Sequence, residues 1–176
     1  MNPSHQILIV INYKMNKAIL ILFMISMTGF TDSYSQNHIP DKHALVVAVS
    51  NYSPSSGFRH IDADNDLKII MKLLRKQGFT DTIVLSNAQA TKEGFIRSFG
   101  KLRSTVHPGD IVYIHFSTHG QQLEDKNGDE IDGLDEAIAL YDSQSKSSND
   151  YKGQNHLTDD EFGLLVENLR KDLGKD

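Results

Sequence analysis

Three short runs of apolar, β-branched residues, each separated from the next by a stretch of helical periodicity, constrain this 176-residue chain more than any other feature. The run HALVVAVS, His43 to Ser50, is apolar at almost every position and leads into the turn-rich NYSPSSG, the pattern of a strand buried on both faces. Leu67, Ile70, Met71 and Leu74 then recur at i, i+3, i+4, i+7. Asp62, Asp64 and Asp66 stand ahead of them, where the helix dipole favours acidic groups, and Gly78 stands behind. Thr82 to Leu85 predicts a second strand, and Thr91 an N-cap for a helix with Phe95, Ile96, Phe99 and Leu102 on one face, slightly weakened by Gly100. Pro108-Gly109-Asp110 turns the chain into IVYIHF, residues 111–116, the third strand. Thr158-Asp159-Asp160-Glu161 has the form of a capping box ahead of Phe162, Leu165, Val166 and Leu169. Strands and helices alternating at these lengths imply an α/β fold, a parallel sheet with helices on both faces. No repeat interrupts the pattern, and residues 143–155 are polar enough to be a mobile loop.

The N-terminus is of a different kind. From Met15 the order is Asn16-Lys17, a 13-residue apolar run from Ala18 to Phe30, then Ser33-Tyr34-Ser35-Gln36. Small residues at Ser33 and Ser35 suit a signal peptidase, and the run falls short of the roughly 20 residues of a membrane-spanning helix. The expectation is therefore an N-terminal extension and signal peptide over 1–35, with Met15 as the start of translation, and a domain over 36–176 exported to the periplasm or beyond. No stable membrane span is expected once the signal is removed; an uncleaved anchor is the alternative. Upstream lies a second short apolar patch, Ile7 to Ile11.

Removing Lys14, Lys17 and Asp32 with the leader takes the formal charge from −5 to −6, which excludes nucleic acid as an expected partner. One loop carries the excess, since Glu124, Asp125, Asp129, Glu130, Asp132, Asp135 and Glu136 face only Lys126. Asp125, Asn127, Asp129 and Glu136 fall on positions 1, 3, 5 and 12 of a calcium-binding EF-hand loop. Glu130 and Asp132 then occupy positions that pattern gives to glycine and an apolar residue. By sequence this is not an EF-hand, and a solvated loop needing no cofactor is the simpler reading. There is no cysteine, so this polypeptide alone builds no disulfide, thiolate metal site or thiol nucleophile.

His119-Gly120 lies just past the third strand, at the carboxyl edge of a parallel sheet, where ligands and catalysis gather. A histidine there can move protons near neutral pH, and the glycine brings a backbone N–H close to a substrate oxygen. A turn glycine beside a loop histidine is the plainer alternative for the pair alone. His115 reads as a packed strand residue, and His38, His43, His60, His107 and His156 lack metal-ligand spacing.

Taken in order, HALVVAVSNY, IDADND before a helix, the Gly-Phe pair, the Gln-Ala-Thr helix start, PGDIVYIHFSTHGQ and NGDEIDGLDEAI resemble the large-subunit region of caspase-like cysteine peptidases, metacaspases above all. Thr118 departs from the glycine usual there. The resemblance implies a three-layer α/β/α fold with a mostly parallel sheet in strand order 2-1-3. It also implies a peptide or protein substrate, His119 as the base that activates a cysteine, and Gly120 as an oxyanion donor. The cysteine of relatives follows a fourth strand, which this chain does not reach. The implied function is a cysteine endopeptidase represented by its histidine half, inactive alone and completed by a cysteine-bearing fragment. A pseudopeptidase acting as a peptide- or partner-binding module is the alternative, and the resemblance also allows calcium, with Asp125 and Asp129 as its candidate ligands. Asp66 and Ser117 are the implied lining of a pocket for a basic side chain; helix charge compensation is the rival role for Asp66, and Arg59 speaks for an acidic ligand. Lacking the fourth strand, 111–116 is expected to leave an exposed, association-prone edge.

Overall fold

The computed structural model describes residues 39–125, 127–149 and 151–174, together with the backbone of two N-terminal strands, β1 (Leu8–Ile11) and β2 (Ile21–Leu22). Then follow β3 (Lys42–Ala48), α1 (Ala63–Lys76), β4 (Asp81–Ser86), α2 (Lys92–Thr105) and β5 (Ile111–Ser117). Three short strands and a helix complete the chain: β6 (Gly120–Glu124), β7 (Leu134–Ala139), β8 (His156–Thr158) and α3 (Asp159–Asp172).

The three expected strands pair in parallel with the expected order: β3 lies between β4 and β5, Leu45 opposite Ile83 on one side and Ile114 on the other. Both neighbours bury β3, and Ala44 through Val49 are fully inaccessible, which accounts for its continuous apolar run. Side chains alternate between the two faces. On one face Leu45, Val47, Val112, Ile114 and Phe116 meet α2 and α3 in the larger core; on the other Ala44, Val46 and Tyr113 meet Leu74 of α1. Rings tie the larger side together: Phe116 lies 5.3 Å from Phe95 of α2 and 5.4 Å, edge-on, from Phe162 of α3.

Helix ends form where the residues call for them. Thr91 accepts from the Gly94 N–H, and Thr158 with Glu161 makes the reciprocal capping box. Gly94 is a close approach, because a Cβ there would sit 2.4 Å from the Gln89 carbonyl oxygen. At α1 the cap is not an aspartate: the Asp64 N–H is satisfied by Ser50 Oγ at 2.8 Å. At the sheet's amino end His43 is buried between Asp81 and Asp110, at 2.8 and 3.2 Å.

Three features differ from expectation. The edge of β5 is not bare: β1 runs parallel to it, Leu8 opposite Tyr113, and β2 pairs antiparallel to β1, giving the order β2-β1-β5-β3-β4. A β-edge accepts whichever strand presents free backbone groups, and Leu8–Ile11, within the upstream apolar patch, is such a strand. The rest of the leader reading, Met15, the remainder of Ala18–Phe30 and Ser33-Tyr34-Ser35, lies outside the described residues. Second, β6, β7 and β8 form a separate antiparallel sheet that the periodicity did not predict. Third, residues 143–155 are irregular but fastened. Ser143 is fully buried and donates to the Asn155 carbonyl at 2.7 Å, and Ser145 N–H donates to the Ser56 carbonyl at 2.6 Å. Among the described residues no helix is long and apolar enough to cross a membrane.

Candidate functional site

The carboxyl ends of β3 and β5 come together with the loop after β3. Asn87, held at φ 44°, offers its side-chain oxygen to the N–H groups of both Ser50 and Asn51 at 2.9 Å, which fixes where that loop leaves the sheet. Tyr52 and Phe58 of this loop then close around His119, with ring centroids 5.4 and 5.2 Å away, and Phe58 is stacked on the imidazole.

His119 is anchored at backbone and ring. Its N–H donates to the Tyr52 hydroxyl at 2.7 Å, its carbonyl accepts from Ala139 N–H at 2.9 Å, and the same hydroxyl donates onward to the Ala139 carbonyl at 3.2 Å. Burial pushes the Tyr52 phenol far above its ordinary range, so it serves as a neutral donor and acceptor. The imidazole Nε2 lies 2.8 Å from the Arg59 carbonyl oxygen. A carbonyl only accepts, so Nε2 carries the proton and Nδ1 keeps its lone pair for chemistry. Gly120, the next residue, opens β6 opposite Ile138.

The second expected pair also meets. Ser117 Oγ donates to Asp66 Oδ2 at 2.6 Å, joining the end of β5 to the first turn of α1. Asp66 is half-buried, whereas Asp62 and Asp64 are exposed, so the helix-charge role falls to those two. Ser117 is thereby engaged away from His119, which removes it as a substitute nucleophile. Arg59 contributes its backbone carbonyl; its side chain is exposed.

The acidic loop connects β6 to β7. Asp125 folds it by accepting from the N–H groups of Gly128, Asn127 and Glu130 at 2.7, 2.9 and 3.1 Å, and these bonds, Gly128's first, hold its carboxyl below the usual range. Carboxylate oxygens of Asp125, Asp129 and Asp135 lie within 4.8 Å of one another. Asp135 is only 7% exposed and its carboxylate accepts from no described residue. Desolvation, then the charges of Asp125, Asp159, Asp160 and Asp129, hold it above the ordinary value. An uncompensated buried carboxylate among others fits a hard divalent cation with oxygen ligands. The third carboxylate of the cluster is Asp135 rather than the Glu136 of an EF-hand count, because a hairpin and not a helix closes the loop, and Glu136 accepts from Gln122 instead at 3.3 Å.

Sequence reasoning missed Tyr52, Phe58 and Gln121. The signal for the first two was available: aromatic residues in a turn-rich loop at the carboxyl end of a strand. Gln121 bridges His156 Nε2 at 3.2 Å and the Lys146 N–H at 2.9 Å, fastening the 143–155 segment beside Gly120.

A three-layer α/β/α sheet in this order, with a histidine-glycine pair at the carboxyl end of its third core strand, defines the caspase-like class. The crystal structure of a protein from Geobacter sulfurreducens has the same fold, with a TM-score of 0.59 at 26% identity, covering 73% of this chain and 46% of that one. The profile of the metacaspase, peptidase C14 domain matches residues 42–174, and the chain belongs to that family. It is 28% identical over 147 residues to metacaspase-1 of Ajellomyces capsulatus, covering 78% of this chain and 38% of that protein. Over 134 residues it is 30% identical to metacaspase-1 of Meyerozyma guilliermondii, covering 71% and 30%. The chain therefore spans well under half the length of these relatives.

Proposed function

We propose that this chain supplies the histidine-bearing part of a cysteine endopeptidase, with the thiol delivered by a cysteine-bearing segment outside these 176 residues. The His119 tautomer carries the reading. With Nε2–H donated to Arg59, Nδ1 accepts the thiol proton, the thiolate attacks the peptide carbonyl carbon, and the imidazolium returns the proton to the departing amine. The Gly120 N–H is the candidate donor to the oxyanion, and Asp66 with Ser117 receives a basic substrate side chain. Asp125, Asp129 and Asp135 would hold calcium, which would supply positive charge at the far end of the hairpin that begins with Gly120. The leader reading places the product outside the cytoplasm.

One observation favours a second reading, a peptide-binding module without cleavage: the Asp66–Ser117 pair is complete within this chain. Co-expression with the polypeptide encoded downstream of residue 176 separates the two. Cleavage of arginyl or lysyl amide substrates is expected only with both parts, and His119→Ala is expected to lower it about 10²–10⁴-fold. Cleavage that survives His119→Ala would remove the peptidase reading. Peptide binding without cleavage supports the module.

A further inference from the structure

Between the sheet and α1 runs a polar row that neither His119 nor the acidic loop uses. Tyr113, His115 and Ser117 alternate onto the α1 face of β5, where β3 sets Ala44, Val46 and Ala48 opposite them. Ser117, at the end of the row, donates to Asp66. His115, two residues deeper, is 3% exposed; its Nδ1 lies 3.4 Å from the Tyr113 hydroxyl and its Nε2 has no hydrogen-bond partner among the described residues. Buried ring nitrogens are ordinarily paired, so this one calls for a reason.

Val46 lies opposite His115 in the sheet, and the Tyr113 ring stacks beside the imidazole with centroids 6.1 Å apart. Both belong to an apolar cluster with Leu74 of α1, with Leu67, Ile70 and Met71 at its margin, and burial raises the Tyr113 phenol. Burial lowers the His115 pKa, and the one charge that acts on it, in the opposite sense, is the Asp66 carboxylate.

We propose that His115 is a specificity-determining residue of the Asp66–Ser117 pocket, an internal rival for the basic side chain that Asp66 binds. The inference rests on the basic-pocket reading above. Neutral, the imidazole leaves Asp66 to an incoming guanidinium or ammonium group. Protonated, it sets a second cation near the same carboxylate, and the two repel. The coupling is reciprocal: a bound cation lowers the proton affinity of His115 by the factor by which that proton weakens the cation. Basic ligands are therefore selected above the pH at which His115 titrates and released below it.

Agmatine, a small guanidinium probe, tests this on the 176-residue chain from about pH 7.5 to about pH 5, while NMR follows the His115 ring. Agmatine is expected to bind about fivefold more weakly at the acid end, to bind His115→Gln with a flat profile, and to move the His115 titration to lower pH. A His115→Gln protein that keeps the wild-type profile overturns the proposal, as does a His115 titration unmoved by bound agmatine. If His115→Gln does not fold, the titration in the unsubstituted chain decides alone. Failure of agmatine to bind at either pH overturns the basic-pocket reading, and the rivalry with it, a result distinct from binding that ignores His115.

Discussion

The corner at His119 and the acidic loop sit at opposite ends of one strand, β6, whose five residues span roughly 17 Å, yet they are built on opposite terms. At the corner every backbone group of His119 has a partner within the chain, and aromatic rings hold the imidazole. At the loop, carboxylates crowd one another and Asp135 finds no donor among the described residues. The first is preorganised as it stands; the second holds crowded negative charge that a proton or a cation would relieve. The histidine corner and the acidic cluster thus flank one hairpin without sharing residues.

The comparison breaks first at Tyr52. Tyr52→Phe removes the hydroxyl that joins His119 to Ala139 and is expected to cost about 2 kcal/mol in urea unfolding. A loss below about 0.5 kcal/mol would show the corner to be held by packing instead. Next comes the capping box of α3, whose first turn adds Asp159, Asp160 and Glu161 to the acidic neighbourhood. Thr158→Ala is expected to cost about 1 kcal/mol, and less in millimolar calcium if the ion relieves the same charges.

Asp135→Asn sharpens the contrast from the other side. It is expected to raise the thermal midpoint in metal-free buffer and to abolish the rise that millimolar calcium gives the parent. An equal calcium response in both proteins removes Asp135 from the ion's ligands. The smallest effect is the sign of the pH dependence. His115 and His156 have lowered values, chiefly through burial, so the unfolded chain takes up their protons first and stability falls as pH drops below about 6.5. Asp135 and Asp159 have raised values, again led by desolvation, so the folded chain protonates first and stability rises as pH falls toward about 4. Calorimetry between these limits is expected to show a flatter acid loss for His156→Gln and a steeper one for Asp135→Asn.

Much of this was legible in the residues. The alternation of strands and helices and the N-caps at Thr91 and Thr158 follow from elements whose periodicity and end signals are strong, whereas the strand order and the pairing of Asp66 with Ser117 come from the family resemblance. The antiparallel sheet was not, because GQQLE and LDEAIA lack β-branched runs and are strands through pairing rather than propensity. Asp135 was hidden for a related reason: a linear ligand count assumes a helix after the loop, and strand alternation turns Asp135 inward instead of Glu136. His115 looked like packing, and its unpaired nitrogen is visible only once α1 covers the strand.

The pairing of Ile9 with Ile114 sets a clock on the N-terminal segment. At roughly 5–20 residues per second, its partner strand is synthesised about 5–20 seconds after the segment itself. During that interval the Leu8–Ile11 strand has no sheet to join. Afterwards pairing hides it. Slowing or speeding translation between the two strands would lengthen or shorten that wait.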